Sequence, residues 1–235
     1  AFLEAALALA DPPLPDPQRV VARRAAITAE RAAYLAGTAL RDRSPDAPAG
    51  DGVDPAVAVR SLAAVLPPDA IVTTDAGNFG GWYARGLRIG AGQRFLGPTS
   101  GAMGYALPAG IGAGLAAPGR PVVALAGDGG FAMLMAELET AVRSGVRLTA
   151  IVHDNQRYGT IRMDQERSFP GRVVATELGP LDFGAVAVAC GAHAWRVERD
   201  DDVAPALEGA LADPGVAVVH LRTDPHRLSV DRDLA

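Results

Sequence analysis

Short apolar runs alternate with helical periodicities along most of this chain. Val122–Ala126, Leu148–Val152 and Val216–Leu221 are continuous apolar stretches, joined by the shorter strand-like pieces Ala70–Thr73, Arg94–Leu96 and Ala194–Val197. Between them lie segments that read as helices. Asp54 followed by Pro55 is a cap and a first helical position, so a helix is expected to run to Leu66. Further helices are expected over Phe79–Leu87, Phe131–Arg143 and Leu181–Ala189, and from Asp200-Asp201-Asp202 to Leu211, with a helical start at Tyr105–Ala109. Strand, turn, helix, strand is the unit of a parallel sheet, so the class is α/β.

The first fifty residues follow another pattern. Ala1–Ala10 looks helical, Asp11–Pro17 is a proline-rich joint, and Gln18–Leu40 carries apolar residues at helical spacing. Arg41–Gly52 reads as a Pro/Gly/Asp linker. Residues 1–50 are expected to be a helical tail and linker from a preceding domain, and residues 51–235 the α/β domain.

The chemistry concentrates between Pro121 and Gly159. A strand ends in the turn Gly127-Asp128-Gly129-Gly130, and the next strand ends at Asn155. If the strands are neighbours, Asp128 and Asn155 meet at one edge, where ligands of open parallel sheets bind. Asp and Asn are hard oxygen donors suited to Mg²⁺ or Ca²⁺. Glycines allow close backbone approach, and a helix opening there favours an anion. The expected site is a metal holding a di- or triphosphate, without the lysine of a Walker motif, since all 22 basic residues are Arg.

Composition narrows the field. A net charge of −5 gives no electrostatic support for nucleic-acid or membrane-surface binding. No apolar run approaches the roughly 18 residues that span a bilayer. The lone Cys190 excludes an internal disulfide and agrees with a cytoplasmic location; it reads as a buried residue and not a nucleophile. Gly110-Ile111-Gly112-Ala113-Gly114 is not read as a dinucleotide fingerprint, because a helix and not a strand precedes it; its glycines are expected to permit close helix packing.

Gly-Asp-Gly at 127–129 followed by Asp154-Asn155 resembles the signature of thiamine diphosphate-dependent enzymes. Gly77-Asn78-Phe79, Gly101-Ala102-Met103-Gly104-Tyr105, Glu137-Leu138 and Tyr158-Gly159-Thr160-Ile161 extend the likeness to the acetolactate synthase-like branch, over roughly residues 55–222. The resemblance implies the diphosphate-binding α/β fold, with helices on both faces of the sheet. It implies Mg²⁺ held by Asp128, Asn155 and the Arg157 carbonyl. Gly77, Asn78, Phe79, Gly129, Gly130, Gly159 and Thr160 would surround the cofactor. The Gly101 carbonyl would accept from its aminopyrimidine, and Met103 would bend it. Ile161 and Asp164 would face the substrate. Glu137 would be an ion-pair partner.

Three departures accompany the likeness. Asp154 stands where the pattern usually has Asn, and either adds negative charge near the metal or caps the next turn. His153 replaces an apolar residue and reads as hydrogen-bonded and structural. Asp164 stands where biosynthetic acetolactate synthases have Trp, which leaves the substrate open.

The implied activity is thiamine diphosphate- and Mg-dependent decarboxylation or carboligation of a 2-oxo acid, as a lyase or transferase. The alternatives are a benzoylformate decarboxylase-like member or a non-catalytic subunit that binds thiamine diphosphate. By the same resemblance this chain carries no catalytic residue of its own. The activating Glu is expected on a pyrimidine-binding domain or subunit of a homo- or hetero-oligomer, and FAD, if used, on further domains.

Overall fold

The computed structural model describes residues 16–43 and 51–231. The expected helix over residues 1–10 and most of the expected linker lie outside them. Two compact units are present, residues 1–39 and 40–235. In the first, helix α1 (Pro17–Gly37) is capped by Asp16, whose carboxylate accepts from Gln18 N at 2.9 Å. It has no buried residue, and Val21, Ile27 and Tyr34 are exposed.

The second unit begins with α2 (Pro55–Val65), capped by Asp54, whose side chain accepts from Ala56 N at 2.9 Å. Then follow β1 (Ile71–Thr74), α3 (Asn78–Gly86), β2 (Arg94–Leu96), α4 (Ala106–Ala116), β3 (Val122–Gly127), α5 (Asp128–Leu134), α6 (Glu137–Arg143), β4 (Leu148–Asp154) and α7 (Gly159–Ser168). The chain closes with α8 (Phe183–Ala189), β5 (His193–Val197), a short 3₁₀ turn (Asp200–Asp202), α9 (Val203–Ala212) and β6 (Val216–Arg222).

All strand pairs are parallel, in the order β2-β1-β3-β4-β6-β5. A parallel sheet needs helices on both faces because its strands are apolar on both. Every residue of β4 is buried, as is all of β3 except Gly127. Val59 and Leu62 of α2, Trp82 of α3 and Leu207 of α9 pack on one face with Val123, Ile151 and Val219. Ile111 of α4, Phe131 of α5, Leu138 of α6 and Phe183 of α8 pack on the other with Ala124, Val152 and Val218.

Gly110 and Gly114 show why α4 is rich in glycine. A Cβ at Gly110 would lie 2.8 Å from Leu148, and one at Gly114 3.1 Å from Val146. Those glycines let the helix sit tightly on the sheet, as their spacing suggested.

One expected helix is corrected and one unexpected helix is found. Phe131–Arg143 is not one helix: α5 starts earlier, at Asp128, stops at Leu134, and α6 begins at Glu137. Residues after Tyr158, assigned no element from the sequence, form α7, which has no buried residue.

Candidate diphosphate and cation site

The chain leaves β1 toward one face through α3 and leaves β3 toward the other through α5, so a crevice opens where their carboxyl ends diverge. Register places the chemistry. Gly127 pairs with His153 across β3 and β4, so the residues just beyond both strands come together. Asp128 Oδ2 and Asn155 Oδ1 accept from the same Arg157 N–H, at 3.3 and 3.1 Å. Asp128 Oδ1 also accepts from Gly129 N at 2.7 Å. The two side-chain oxygens therefore converge. Among the described residues no group of three or more His, Cys, Asp or Glu forms a metal cluster. The donor set is mixed carboxylate, amide and main chain. The Arg157 carbonyl accepts from Gly159 N at 2.9 Å, and a carbonyl keeps a second lone pair.

Asp128 is 6% exposed. Burial pushes its carboxyl up to about 7, and the nearby charge of Asp154 adds to the rise, partly offset by the backbone N–H bonds. A carboxylate so placed lacks a counter-charge that a cation would supply.

A cavity of about 260 Å³ covers this crevice. Its walls include Gly77, Asn78, Phe79, Gly101, Met103, Asp128, Gly129, Gly130, Asn155, Arg157, Gly159, Thr160 and Ile161, so nearly every candidate residue meets there. Asp164 is the exception. It forms an ion pair with Arg167 at 2.7 Å and is not part of the wall. Glu137 forms no ion pair among the described residues; the pair on α6 is Glu139–Arg143, at 2.9 Å. Cys190 is half-buried, not buried.

The glycines of the turn are required by their neighbours. A Cβ on Gly129 would fall 2.5 Å from the Tyr158 ring, and one on Gly130 2.2 Å from Asp75 Oδ2. Asp75, just beyond β1, builds the next loop. Its Oδ1 accepts from Ala106 N at 2.6 Å and its Oδ2 from Gly104 N at 3.0 Å, and Ala76 N donates to the Ala102 carbonyl at 3.1 Å. Met103 is thereby presented at the cavity with 40% of its surface exposed. The flanking Gly101 and Gly104 have φ of +68° and +76°, a region other residues seldom occupy.

Asn78 ties two sides of the cavity together. Its Oδ1 accepts from Thr160 Oγ1 at 3.0 Å, joining α3 to α7. It does not cap α3; that place is taken by Gly77. His153 lies buried in the wall, its Nε2 2.7 Å from Tyr83 Oη, stacked on Phe79 at 5.6 Å. Burial pulls its pKa down to about 3, so the ring is neutral.

Wall residues the sequence did not mark are Ala76, Trp82, Thr223, Arg227 and Leu228. Arg227 stacks 4.9 Å above the Trp82 ring and pairs with Asp54 at 3.0 Å. They meet only through the fold, so sequence spacing holds no signal for them.

Comparison with known proteins assigns the family. Residues 75–221 match the family described as thiamine pyrophosphate enzyme, C-terminal TPP binding domain. A sulfoacetaldehyde acetyltransferase of Alcaligenes xylosoxydans xylosoxydans is 39% identical over 69% of this chain and 27% of its own length. The acetolactate synthase isozyme 2 large subunit of Escherichia coli K12 is 35% identical over 74% of this chain and 32% of its own. Among solved structures, a thiamine diphosphate-dependent 4-hydroxybenzoylformate decarboxylase of Rhodococcus jostii RHA1 superposes with a TM-score of 0.70 at 27% identity, over 79% of this chain and 35% of that one. The chain thus spans about a third of the length of these relatives. With its parallel α/β sheet, its crevice and this match, the chain belongs to the thiamine pyrophosphate enzymes, as a C-terminal TPP-binding domain.

Proposed function

We propose that this chain supplies the diphosphate half-site of an enzyme that decarboxylates a 2-oxo acid, or joins the resulting fragment to a second carbonyl compound, with Mg²⁺ as the bridging ion. The observation that carries the reading is the single Arg157 N–H shared by Asp128 Oδ2 and Asn155 Oδ1. Two hard oxygens aimed at one point, one of them from a carboxylate that burial leaves short of positive charge, fit a small divalent cation better than any soft metal. Asp128, Asn155 and the Arg157 carbonyl would hold the ion. Mg²⁺ seldom takes more protein carboxylates than this, and fills its remaining positions with phosphate oxygens and water.

The diphosphate would lie against Gly129 and Gly130, where no side chain intervenes, and beneath Gly77, Asn78, Phe79, Gly159 and Thr160. Since α5 has only 7 residues, its dipole adds little, and the cation carries most of the neutralisation. Gly101 and Met103, fixed by Asp75, would meet the pyrimidine side, and Ile161 the substrate side. Bound thiamine diphosphate supplies the electron sink that decarboxylation requires. The chain itself holds the ion and the phosphates, shapes the cavity and keeps a neutral His153 in its wall.

The activating carboxylate would come from a pyrimidine-binding domain or subunit. The apolar Met103, Leu134 and Ile161, all well exposed, would be covered by it. Asp164 paired with Arg167 would leave substrate choice to Ile161 and to that partner. Calorimetric titration with thiamine diphosphate, with and without Mg²⁺, tests the reading. Binding that requires Mg²⁺ is expected, and binding indifferent to Mg²⁺ and to loss of the Asp128 carboxylate would overturn it. A product screen of the partnered enzyme with pyruvate and benzoylformate then identifies the substrate class.

A further inference from the structure

The turn that carries Asn155 is a wall between two cavities. Asn155 and Arg157 line the crevice already described, whereas Asp154 and Gln156 line a second cavity of about 550 Å³ on the other side. The second cavity is polar. Asp182, Arg196, His220 and Arg222 share it with Asp154.

Asp154 and His220 are 2% and 3% exposed, and their contact is direct: His220 Nε2 lies 2.8 Å from Asp154 Oδ2. Arg222 reaches the same oxygen at 3.4 Å. The other carboxylate oxygen, Oδ1, accepts from Gln156 N at 3.0 Å. The Asp154 carbonyl accepts from Thr223 N at 2.9 Å. His220 is packed edge-on against Phe183, with ring centroids 5.2 Å apart. Its Nδ1 is buried and unpartnered, the Asp182 carboxylate standing off at 3.9 Å. The ring is therefore oriented by one strong contact, to Asp154.

That contact matters because of what Gln156 does. It is a non-glycine residue with φ of +56°, a conformation that costs free energy unless the surroundings impose it. The Asp154 carboxylate imposes it by holding the Gln156 N–H, with help from Leu178 N, which donates to the Gln156 carbonyl at 2.8 Å. With Gln156 so turned, the next N–H, that of Arg157, faces both Asp128 and Asn155.

We propose that Asp154 and His220 are positioning residues, a buried pair that holds the Asn155–Arg157 turn in its ligand-accepting shape from the side away from the cofactor cavity. The part of this inference that concerns cation affinity rests on the function proposed above; the part that concerns the turn does not. Outer contacts of this kind commonly change metal affinity by about ten- to a hundredfold when removed.

Two readouts separate the parts. The first is amide hydrogen exchange at single residues in the chain without cofactor. His220→Leu should speed exchange at Gln156 and Arg157 about tenfold while the amides of β3 and β4 keep their rates. His220→Gln, whose Nε2 can still reach Asp154, should restore the slow rates. In a Gln156→Gly background, where the left-handed conformation costs nothing, His220→Leu should have much less effect. Unchanged exchange at Gln156 and Arg157 in His220→Leu would overturn the proposal. So would an equal acceleration across β4, since that reports general loosening.

The second readout is the dissociation constant of Mg²⁺ measured with saturating thiamine diphosphate. It should weaken about tenfold in His220→Leu and stay near the parent value in His220→Gln. If the parent chain takes up neither Mg²⁺ nor thiamine diphosphate, the proposed function fails, and the exchange experiment still decides whether the pair positions the turn.

Discussion

Asp75 and Asp128 stand at the ends of neighbouring strands, 4% and 6% exposed, and burial raises the pKa of both. They differ in what their oxygens touch. Both oxygens of Asp75 are taken by backbone N–H groups of a loop remote in sequence, those of Gly104 and Ala106. Asp128 has the N–H of its own neighbour, Gly129, and a half-share of the Arg157 N–H. The first carboxylate builds architecture, and the second is held ready with capacity to spare. Residue type and burial alike fail to separate the two roles; what does is that Asp128 shares one of its two donors with Asn155.

The largest expected effect breaks this contrast at Asp128. Asp128→Asn should weaken Mg²⁺-dependent thiamine diphosphate binding by more than about a hundredfold, beyond what loss of an outer contact costs. The same change should raise the melting temperature of the cofactor-free chain at pH 8, because an ionised buried carboxylate without a cation is removed. Asp75→Asn should do the reverse, lowering stability by about 1–3 kcal/mol, since an amide cannot accept from both N–H groups. Calorimetry and thermal denaturation on the pair of variants check both signs. A melting temperature that falls for Asp128→Asn would mean its carboxylate is structural too.

Gly130→Ala attacks the junction between the two aspartates. The new methyl would need the space of Asp75 Oδ2, now 2.2 Å from where that Cβ would lie. Overpacking against a pinned side chain typically costs about 1–3 kcal/mol. Stability should drop, and exchange at Gly104 and Ala106 should quicken, because the carboxylate that holds them is displaced.

Titration sharpens the contrast further. Burial pushes the Asp128 carboxyl up to about 7 from an ordinary 3.8, so between these values the folded chain binds more protons than the unfolded one. Its contribution to stability is full below pH 3.8 and is lost as pH rises through 7. His153 acts oppositely: lowered from 6.5 to about 3, it contributes stability that is full above 6.5 and lost as pH falls toward 3. The two trends overlap, so the informative quantity is the difference between the parent and Asp128→Asn. The variant's advantage in melting temperature should grow from pH 5 to pH 8. With Mg²⁺ and thiamine diphosphate present it should reverse, because cation binding requires the deprotonated carboxylate.

Much of this arrangement was legible in the chain, and the limits have physical causes. Strands that are apolar on both faces announce themselves, and Arg94–Leu96 fell where its pattern placed it. The pairing of Asp128 with Asn155 followed from two successive strand ends. The helix after the turn was misread because Gly129 and Gly130 are poor helix formers. They stand inside the helix all the same, and they are glycine because Tyr158 and Asp75 leave no room for a Cβ, a tertiary constraint that propensity cannot see. α7 was missed because nothing in it is buried; polar contacts hold it, such as Gln165 to Val174 at 2.9 and 3.1 Å. Asp164, which the resemblance implies faces the substrate, lies on α7 and pairs with Arg167. Asp154 was open between adding charge and capping a turn, and it does both: it raises the Asp128 pKa and accepts from Gln156 N. Asp75 is not marked in the sequence because its partners, the N–H groups of Gly104 and Ala106, are 29 and 31 positions away and meet it only through the fold.

Gly129→Ala is expected to have the smallest effect, and for an instructive reason. The methyl would lie 2.5 Å from the Tyr158 ring, as severe a clash on paper as the one at Gly130. Yet the ring edge belongs to a side chain that can swing about χ1, whereas Asp75 is fixed by two backbone bonds. Alanine also favours the helical conformation that glycine resists, by up to about 1 kcal/mol. The net change in stability should therefore stay within about 1 kcal/mol, well short of the Gly130→Ala loss. Binding should tell a different story, because the displaced ring and the new methyl both enter the wall where the diphosphate would lie. Thermal denaturation of the two glycine variants side by side, followed by thiamine diphosphate titration of Gly129→Ala, decides the matter. Equal destabilisation would show that Tyr158 is as rigidly held as Asp75, and that the crevice is built around three fixed points and not two.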